Sequence, residues 1–149
     1  DRPDMALQKF ANSIISEKPI NLFNYGNHKR DFTYIDDIVE GIIKVISKPA
    51  TENSKWNPLE PDAASSSCPY RIYNIGNNSM VKLEKYIDIL EKELGKKAKK
   101  EFLPMQAGDI ENTYANVDDL ISDFNYKPST PVETGIKKFA EWFKNYYKL

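Results

Sequence analysis

Cysteine is nearly absent from this 149-residue chain. The one thiol, Cys68, has no partner for an intramolecular disulfide, and such sparse usage fits a reducing compartment. One histidine, His28, cannot build a metal site, and no motif around it or Cys68 pairs them as base and nucleophile. The six glycines stand singly, so no G-x-x-G-x-x-G or G-x-G-x-x-G turn is present to seat a dinucleotide pyrophosphate. No apolar run approaches the roughly 20 residues of a membrane span, and the first residues do not read as a signal peptide. A soluble, cytoplasmic protein without a membrane partner is the expectation. An excess of one charge is also missing: 21 basic residues face 22 acidic ones, for a net charge of −1. That balance removes the electrostatic case for general nucleic-acid binding. Arginine is scarce, with only Arg2, Arg30 and Arg71. Each is worth questioning, because the guanidinium fork binds phosphate or carboxylate bidentately where lysine cannot.

What is present suffices for a folded domain. Hydrophobic residues make up 40% and aromatics 12%, and a chain of this size buries about two thirds of its extended surface. One domain over 1–149 is expected. Helical spacing of Met5, Phe10, Ile14 and Ile15 predicts a helix over 4–18, ended by Pro19. Residues 20–24 and 31–35 read as two short strands around a Gly/Asn turn, most simply a hairpin. Asp36 can cap a helix over 37–47 whose core face would be Ile38, Ile42, Val45 and Ile46. Residues 48–70 carry prolines, serines and acids without periodicity and read as a long surface loop. A strand over 71–75 follows, then a helix over 81–94 closed by Gly95, and a short strand over 99–103. Asn116 can cap a short helix through Phe124. Thr130-Pro131-Val132-Glu133 is a helix start, with a threonine cap, proline at the first position and glutamate at the third. The last helix would carry an apolar stripe of Ile136, Phe139, Trp142, Phe143 and Tyr146, a core face whose end could serve an interface. Strands interleaved with helices through short connections give an α/β class.

Arg30 is a candidate on residue chemistry, while the Gly108-Asp109 turn is unremarkable by itself. Arg30 follows the turn Asn24-Tyr25-Gly26-Asn27 at the start of a strand, anchored on one side and free to point at an anion. Its competing role is a surface pair with Asp31 or Asp36, an interaction worth little. Asp109 ends the loop Gln106-Ala107-Gly108-Asp109, where one carboxylate could accept two strong hydrogen bonds from a vicinal diol. Asp36 and Asp37 fit a helix cap and first turn, where the dipole favours acids, better than a catalytic pair.

The stretches R-P-D-M-A from Arg2, R-D-F-T-Y-I-D-D-I-V-E-G-I from Arg30, Y-N-I-G-N from Tyr73 and L-P-M-Q-A-G-D from Leu103 together resemble the C-terminal part of NAD-dependent nucleotide-sugar epimerases. These are extended short-chain dehydrogenase/reductase proteins, and the likeness is to the UDP-glucuronate 4-epimerases in particular. It covers nearly the whole chain, from Arg2 to about Tyr147. The fold it implies is a C-terminal fragment of an extended Rossmann-type epimerase, lacking the N-terminal dinucleotide-binding half. It further implies that Arg30 contacts the diphosphate, Phe23 stacks on the uracil, Asp109 holds the ribose, and Arg2 faces the carboxylate of a uronic acid. On residues alone, Phe23 reads as an ordinary half-buried strand aromatic. UDP-galactose 4-epimerases have Arg-Glu-Gly-Asp where this chain has Gln106-Ala107-Gly108-Asp109, so a second phosphate clamp is missing here.

Family members oxidise C4 of a UDP-sugar with bound NAD, let the 4-keto intermediate turn, and return the hydride to its other face. Their base is the tyrosine of a helix-borne Tyr-x-x-x-Lys pair. Tyr25 and Lys29 match those letters, but they fall in a turn between strands. The expectation is therefore a segment that contributes UDP-sugar binding to an epimerase making UDP-galacturonate from UDP-glucuronate. It would have no catalytic residue of its own, no NAD bound to it alone, and two partners: its missing N-terminal half and further copies of itself. Two alternatives stay open, a non-catalytic association module of the same fold and a parent that is a UDP-sugar decarboxylase or dehydratase.

Overall fold

A computed structural model describes residues 5–149; Arg2 lies outside the described residues. The elements in chain order are α1 (Ala6–Ile15), β1 (Pro19–Leu22), β2 (Lys29–Asp31), α2 (Ile35–Ile46), β3 (Met80–Lys82), α3 (Leu83–Leu94), β4 (Lys99–Phe102), α4 (Asp118–Phe124) and α5 (Val132–Tyr147). The chain divides into two compact units. The first takes the described chain up to Phe32 together with Ser79–Tyr114 and Thr130–Leu149; the second takes Thr33–Asn78 and Ala115–Ser129.

In the first unit the expected hairpin does not form. After β1 the chain enters a 3-10 turn at Phe23–Gly26, where Asn24 and Tyr25 sit at φ 50° and 52° and Gly26 at φ 81°. Three successive left-handed residues redirect the backbone, so β1 and β2 pair with distant segments. β1 runs parallel to β4, Pro19 against Lys99 through Leu22 against Phe102. β2 runs antiparallel to β3, Arg30 against Val81. Residues 80–82, expected largely in helix, are thereby drawn into a ladder, and α3 starts at Leu83.

Helix α3 buries Tyr86, Leu90 and Leu94, a helical-period stripe that packs with Ala11 and Ile14 of α1 and with Ile136, Ala140 and Phe143 of α5, while its Ile87 packs with Ile20 and Leu22 of β1. Phe32 stacks on Tyr86 with ring centroids 4.0 Å apart. Burying this set is the main stabilising term of the unit, each large side chain contributing about 1.5–3 kcal/mol. Gly95 ends α3 in the left-handed conformation, φ 72°, as expected. Trp142 and Tyr146, expected in the stripe of α5, are exposed and stack on one another at 5.3 Å. A 3.6-residue period places positions 136, 140 and 143 on one line and leaves 142 and 146 to its side.

The second unit holds α2, the long loop and α4. Its core is Val117, Leu120 and Tyr126, with Val45, Tyr73, Ile75 and Phe124 packed around them. The buried positions of α2 are Asp37 and Gly41, and Tyr126 Oη donates to the Asp37 carbonyl at 2.8 Å. That contact selects the line 37–41–45 as the packed face. Ile42 and Ile46, expected in the core, are exposed, as are Ile35, Val39 and Ile43. Asp36 lies in the first turn and Tyr34 takes the cap position. Residues 71–75, expected as a strand, form no ladder; only Arg71 makes an isolated bridge, to Ser65. Val117 takes the cap position of α4 without a side-chain cap bond; Asn116, expected there, stands one residue earlier, and its Oδ1 accepts from the Asp118 N–H at 2.8 Å.

Candidate functional site

Arg30 alternates its neighbours along β2, so its side chain and that of His28 share one side of the strand. The antiparallel ladder to Val81 fixes the backbone there, and the Lys29 N–H donates to the Glu111 carbonyl at 3.1 Å. This last bond draws the 109–111 loop alongside the strand. Arg30 Nη1 then donates to the Glu111 carbonyl at 2.8 Å and to the Lys29 carbonyl at 3.2 Å. Arg30 Nη2 donates to Asp109 Oδ1 at 3.3 Å. The carboxylate is steadied by the Ile110 N–H, 2.8 Å from Oδ1, and the preceding Gly108 takes φ 83° to make the turn.

The structure thus brings together Arg30 and Asp109, residues 79 apart in sequence. Both side chains keep about a quarter to a third of their surface open, 26% and 30%. A guanidinium and a carboxylate held side by side, each partly accessible, can bind a ligand with an anionic and a hydroxylic end. Phe23, half-buried at the start of the 3-10 turn, lines a different hollow of about 610 Å³ with Phe10, Ser13, Pro19 and Ile20. Asp36 and Asp37 serve the first turn of α2, as their sequence position suggested. Among the described residues no group of three or more His, Cys, Asp or Glu side chains could hold a metal ion, and no helix is long and apolar enough to cross a membrane.

His28 is a member of the site that residue chemistry had passed over. It is buried, with Nδ1 3.1 Å from Arg30 Nη2 and Nε2 3.5 Å from Asp109 Oδ2. The available signal was its spacing: two residues before an arginine on a strand places it on the same side.

A second charged cluster belongs to the other unit. Arg71 reaches Asp119 Oδ1 at 3.1 Å, Asp123 Oδ2 at 3.5 Å and Asp62 Oδ2 at 3.7 Å. Tyr73 Oη donates to Asp123 at 2.7 Å, and the guanidinium lies 5.1 Å from the Tyr73 ring centre. Burial opposes the charge on Arg71, but the surrounding Tyr73 and carboxylates outweigh it and raise its pKa. Asp62 is held below the usual carboxylate range by the Ser65 hydroxyl and the Ala64 N–H. The cluster ties the long loop to α4 and neutralises its own cation.

The residues before α1, α2, α3, α4 and α5 are Met5, Tyr34, Lys82, Val117 and Pro131, none of them glycine. Gly26 is buried against the side chains of Phe102 and Glu84. No described helix therefore opens on a glycine turn of the kind that seats a pyrophosphate.

Comparison with known proteins places this geometry in context. Residues 1–76 match the model of the NAD dependent epimerase/dehydratase family. Protein CapI of Staphylococcus aureus is 49% identical over 147 residues, which is 99% of this chain and 44% of that protein. A probable UDP-glucuronate 4-epimerase of Rhizobium meliloti is 39% identical over 99% of the chain and 43% of its own length. The crystal structure of UDP-glucuronic acid 4-epimerase from Bacillus cereus, in complex with UDP-glucuronic acid and NAD, superposes with a TM-score of 0.77 at 28% identity. It is covered to 42%, against 99% of this chain. The chain spans less than half the length of these relatives, and its fold is that of a Rossmann-type epimerase fragment. It belongs to the NAD-dependent epimerase/dehydratase family.

Proposed function

We propose that this chain is the UDP-sugar-binding part of an NAD-dependent epimerase that interconverts UDP-glucuronate and UDP-galacturonate through a 4-keto intermediate. The observation that carries the reading is the convergence of Arg30 and Asp109, at 3.3 Å, on the side of β2. A diphosphate presents oxygens that match the guanidinium fork, and a ribose presents the vicinal hydroxyls that suit a carboxylate. Phe23 is assigned to the uracil on sequence similarity alone, since it lines a hollow separate from Arg30 and Asp109; such a stacking contact is worth roughly 1–3 kcal/mol. Arg2 is assigned to the uronate carboxylate on sequence similarity alone. With no tyrosine–lysine pair on a helix and no dinucleotide cradle, the redox step and its base are assigned to the rest of the parent enzyme.

The test is calorimetric titration of the purified chain with UDP and UDP-glucuronate, with Arg30→Ala alongside. Saturable binding that weakens about tenfold to hundredfold in the variant is expected, the range for hydrogen bonds to charged groups. A folded chain that takes up no nucleotide would remove the reading for the chain on its own.

One specific feature favours a second role, association. The helix α2 exposes Ile35, Val39, Ile42, Ile43 and Ile46 on contiguous turns. An apolar face of that kind marks a contact surface. Its occupant under this reading is the missing N-terminal half in the parent enzyme, or a second copy when the chain is alone.

A further inference from the structure

His28 lies 6% exposed between the two groups assigned to the nucleotide, and it has a hydrogen-bonding atom left over. Its backbone is fixed from both sides: its N–H donates to the Gly26 carbonyl at 2.9 Å, and its carbonyl accepts from the Leu83 N–H at 2.9 Å. The ring therefore has little freedom to choose partners. Arg30 Nη2 stands 3.1 Å from Nδ1. A guanidinium nitrogen only donates, so Nδ1 must offer a lone pair and the ring proton must sit on Nε2. Nε2 is buried and has no hydrogen-bond partner. Asp109 Oδ2 stands 3.5 Å away, too distant for a proper bond. Buried donors are almost always satisfied, so an orphan of this kind asks for an explanation.

The explanation lies in how Arg30 Nη2 is shared. It serves both His28 Nδ1 and Asp109 Oδ1, and the second contact, at 3.3 Å, is the longer. An anionic ligand arriving at the guanidinium competes with Asp109 for that nitrogen. The carboxylate, released from Arg30, has the His28 Nε2–H close by. Closing that gap to about 2.9 Å makes an ordinary hydrogen bond. One carboxylate oxygen is then anchored by the imidazole, which orients Asp109 toward the hydroxyls of the ligand. The other charged groups around the ring are Lys29 on β2, Glu111 on the adjoining loop, and Lys82 and Glu84 lining the same hollow of about 420 Å³. None of them is paired with either ring nitrogen.

We propose that His28 is a positioning residue that takes over Asp109 when a nucleoside diphosphate engages Arg30. The inference rests on the nucleotide-binding reading above and adds to it the residue that hands the carboxylate from one partner to the next.

The test uses the chain's one histidine, whose imidazole signals in a nitrogen-15 spectrum need no assignment. The expected result is a neutral ring protonated at Nε2, whose Nε2–H signal moves downfield on saturation with UDP. In parallel, UDP is titrated into His28→Leu and His28→Gln. The leucine variant keeps bulk but no donor, and it should bind about tenfold more weakly, the loss expected for one hydrogen bond to a charged group. The glutamine side-chain amide reaches the Nε2 position and should restore binding close to that of the unaltered chain. A ring protonated at Nδ1, or equal UDP affinity in His28→Leu, overturns the role of His28 and leaves the nucleotide reading standing. No UDP uptake by the folded, unaltered chain overturns both.

Discussion

Glu91 and Lys97 meet at 2.6 Å across the end of α3, the carboxylate 3% exposed and the ammonium 86% exposed. The same carboxylate accepts the Ala98 N–H at 3.1 Å and faces Lys100 Nζ at 3.5 Å. It therefore closes the turn after Gly95 and locks the entry into β4.

Burial alone would raise the Glu91 pKa, but the Lys97 and Ala98 hydrogen bonds and the Lys100 charge together lower it. A carboxyl with a depressed folded-state pKa stabilises the fold fully above its unfolded value and loses that contribution as pH falls through the folded one. The expected result is a melting temperature that drops as pH falls below about 4, near the ordinary glutamate value. In Glu91→Gln the drop should be shallower. At neutral pH that variant should be less stable by about 1–3 kcal/mol, the cost of removing charged hydrogen bonds to a buried group. Melting curves from pH 7 to pH 3 check both; parallel curves for the two proteins would remove Glu91 from the account.

Gly41 answers a packing demand rather than a turn. A Cβ there would stand 3.3 Å from Ile75 Cδ1 and 3.3 Å from Tyr126 Cε1. The isoleucine end can give way, but the tyrosine ring is held by its bond to the Asp37 carbonyl. Alanine would gain about 1 kcal/mol of helix propensity over glycine, while overpacking costs about 1–3 kcal/mol. Gly41→Ala should therefore destabilise by about 1 kcal/mol net, lowering the melting temperature by about 2–4 °C in a chain of this size. Gly41→Val should lower it further. A more stable Gly41→Ala would mean that Tyr126 repacks freely.

How far the sequence could be read depended on the range of the interaction involved. Gly95 and the helical stripe of α3 are local features, and each appears where the spacing put it. The parallel pairing of Pro19 with Lys99 is set by partners some 80 positions apart, which no local pattern encodes. The turn at Asn24 and Tyr25 looked like a hairpin because Gly/Asn pairs usually make one, yet its left-handed residues separate the strands. Helix α2 is amphipathic, but the apolar face that periodicity selects is the exposed one, and the packed line runs through Asp37 and Gly41 instead. At the site, Arg30 and Asp109 were legible as chemistry, and residue types alone did not show that they touch. His28 was legible only as a lone histidine, because its role depends on a buried position between two charges.

Arg71 should govern the order of the long loop. It bridges Asp62 in that loop to Asp119 and Asp123 of α4, all partly exposed carboxylates. Such pairs are weak singly, and their combined loss in Arg71→Ala should amount to about 1 kcal/mol, roughly a fivefold gain in the open population. Limited proteolysis within residues 48–70 should accelerate by about that factor, with the fragments read by mass spectrometry. Arg71→Lys should recover little, because one ammonium cannot span three carboxylates as the fork does. An unchanged cleavage rate would show that the Asn53 and Asp62 turns hold the loop without it.

The apolar face of α2 gives the last prediction. Ile43 is 62% exposed and Ile46 71%, one helical turn from each other and clear of the packed line through Gly41. If this face drives association of the isolated chain, sedimentation should show a mass that rises with concentration. The double substitution Ile43→Lys with Ile46→Lys should return it to that of a monomer. Since neither side chain is in the core, the folded state should change by only about 0.5 kcal/mol, so circular dichroism and melting should stay near those of the unaltered chain. A monomer at every concentration before substitution would remove α2 as a self-association surface. Full association after it would move the contact to another face, for which the exposed stack of Trp142 and Tyr146 is the next candidate.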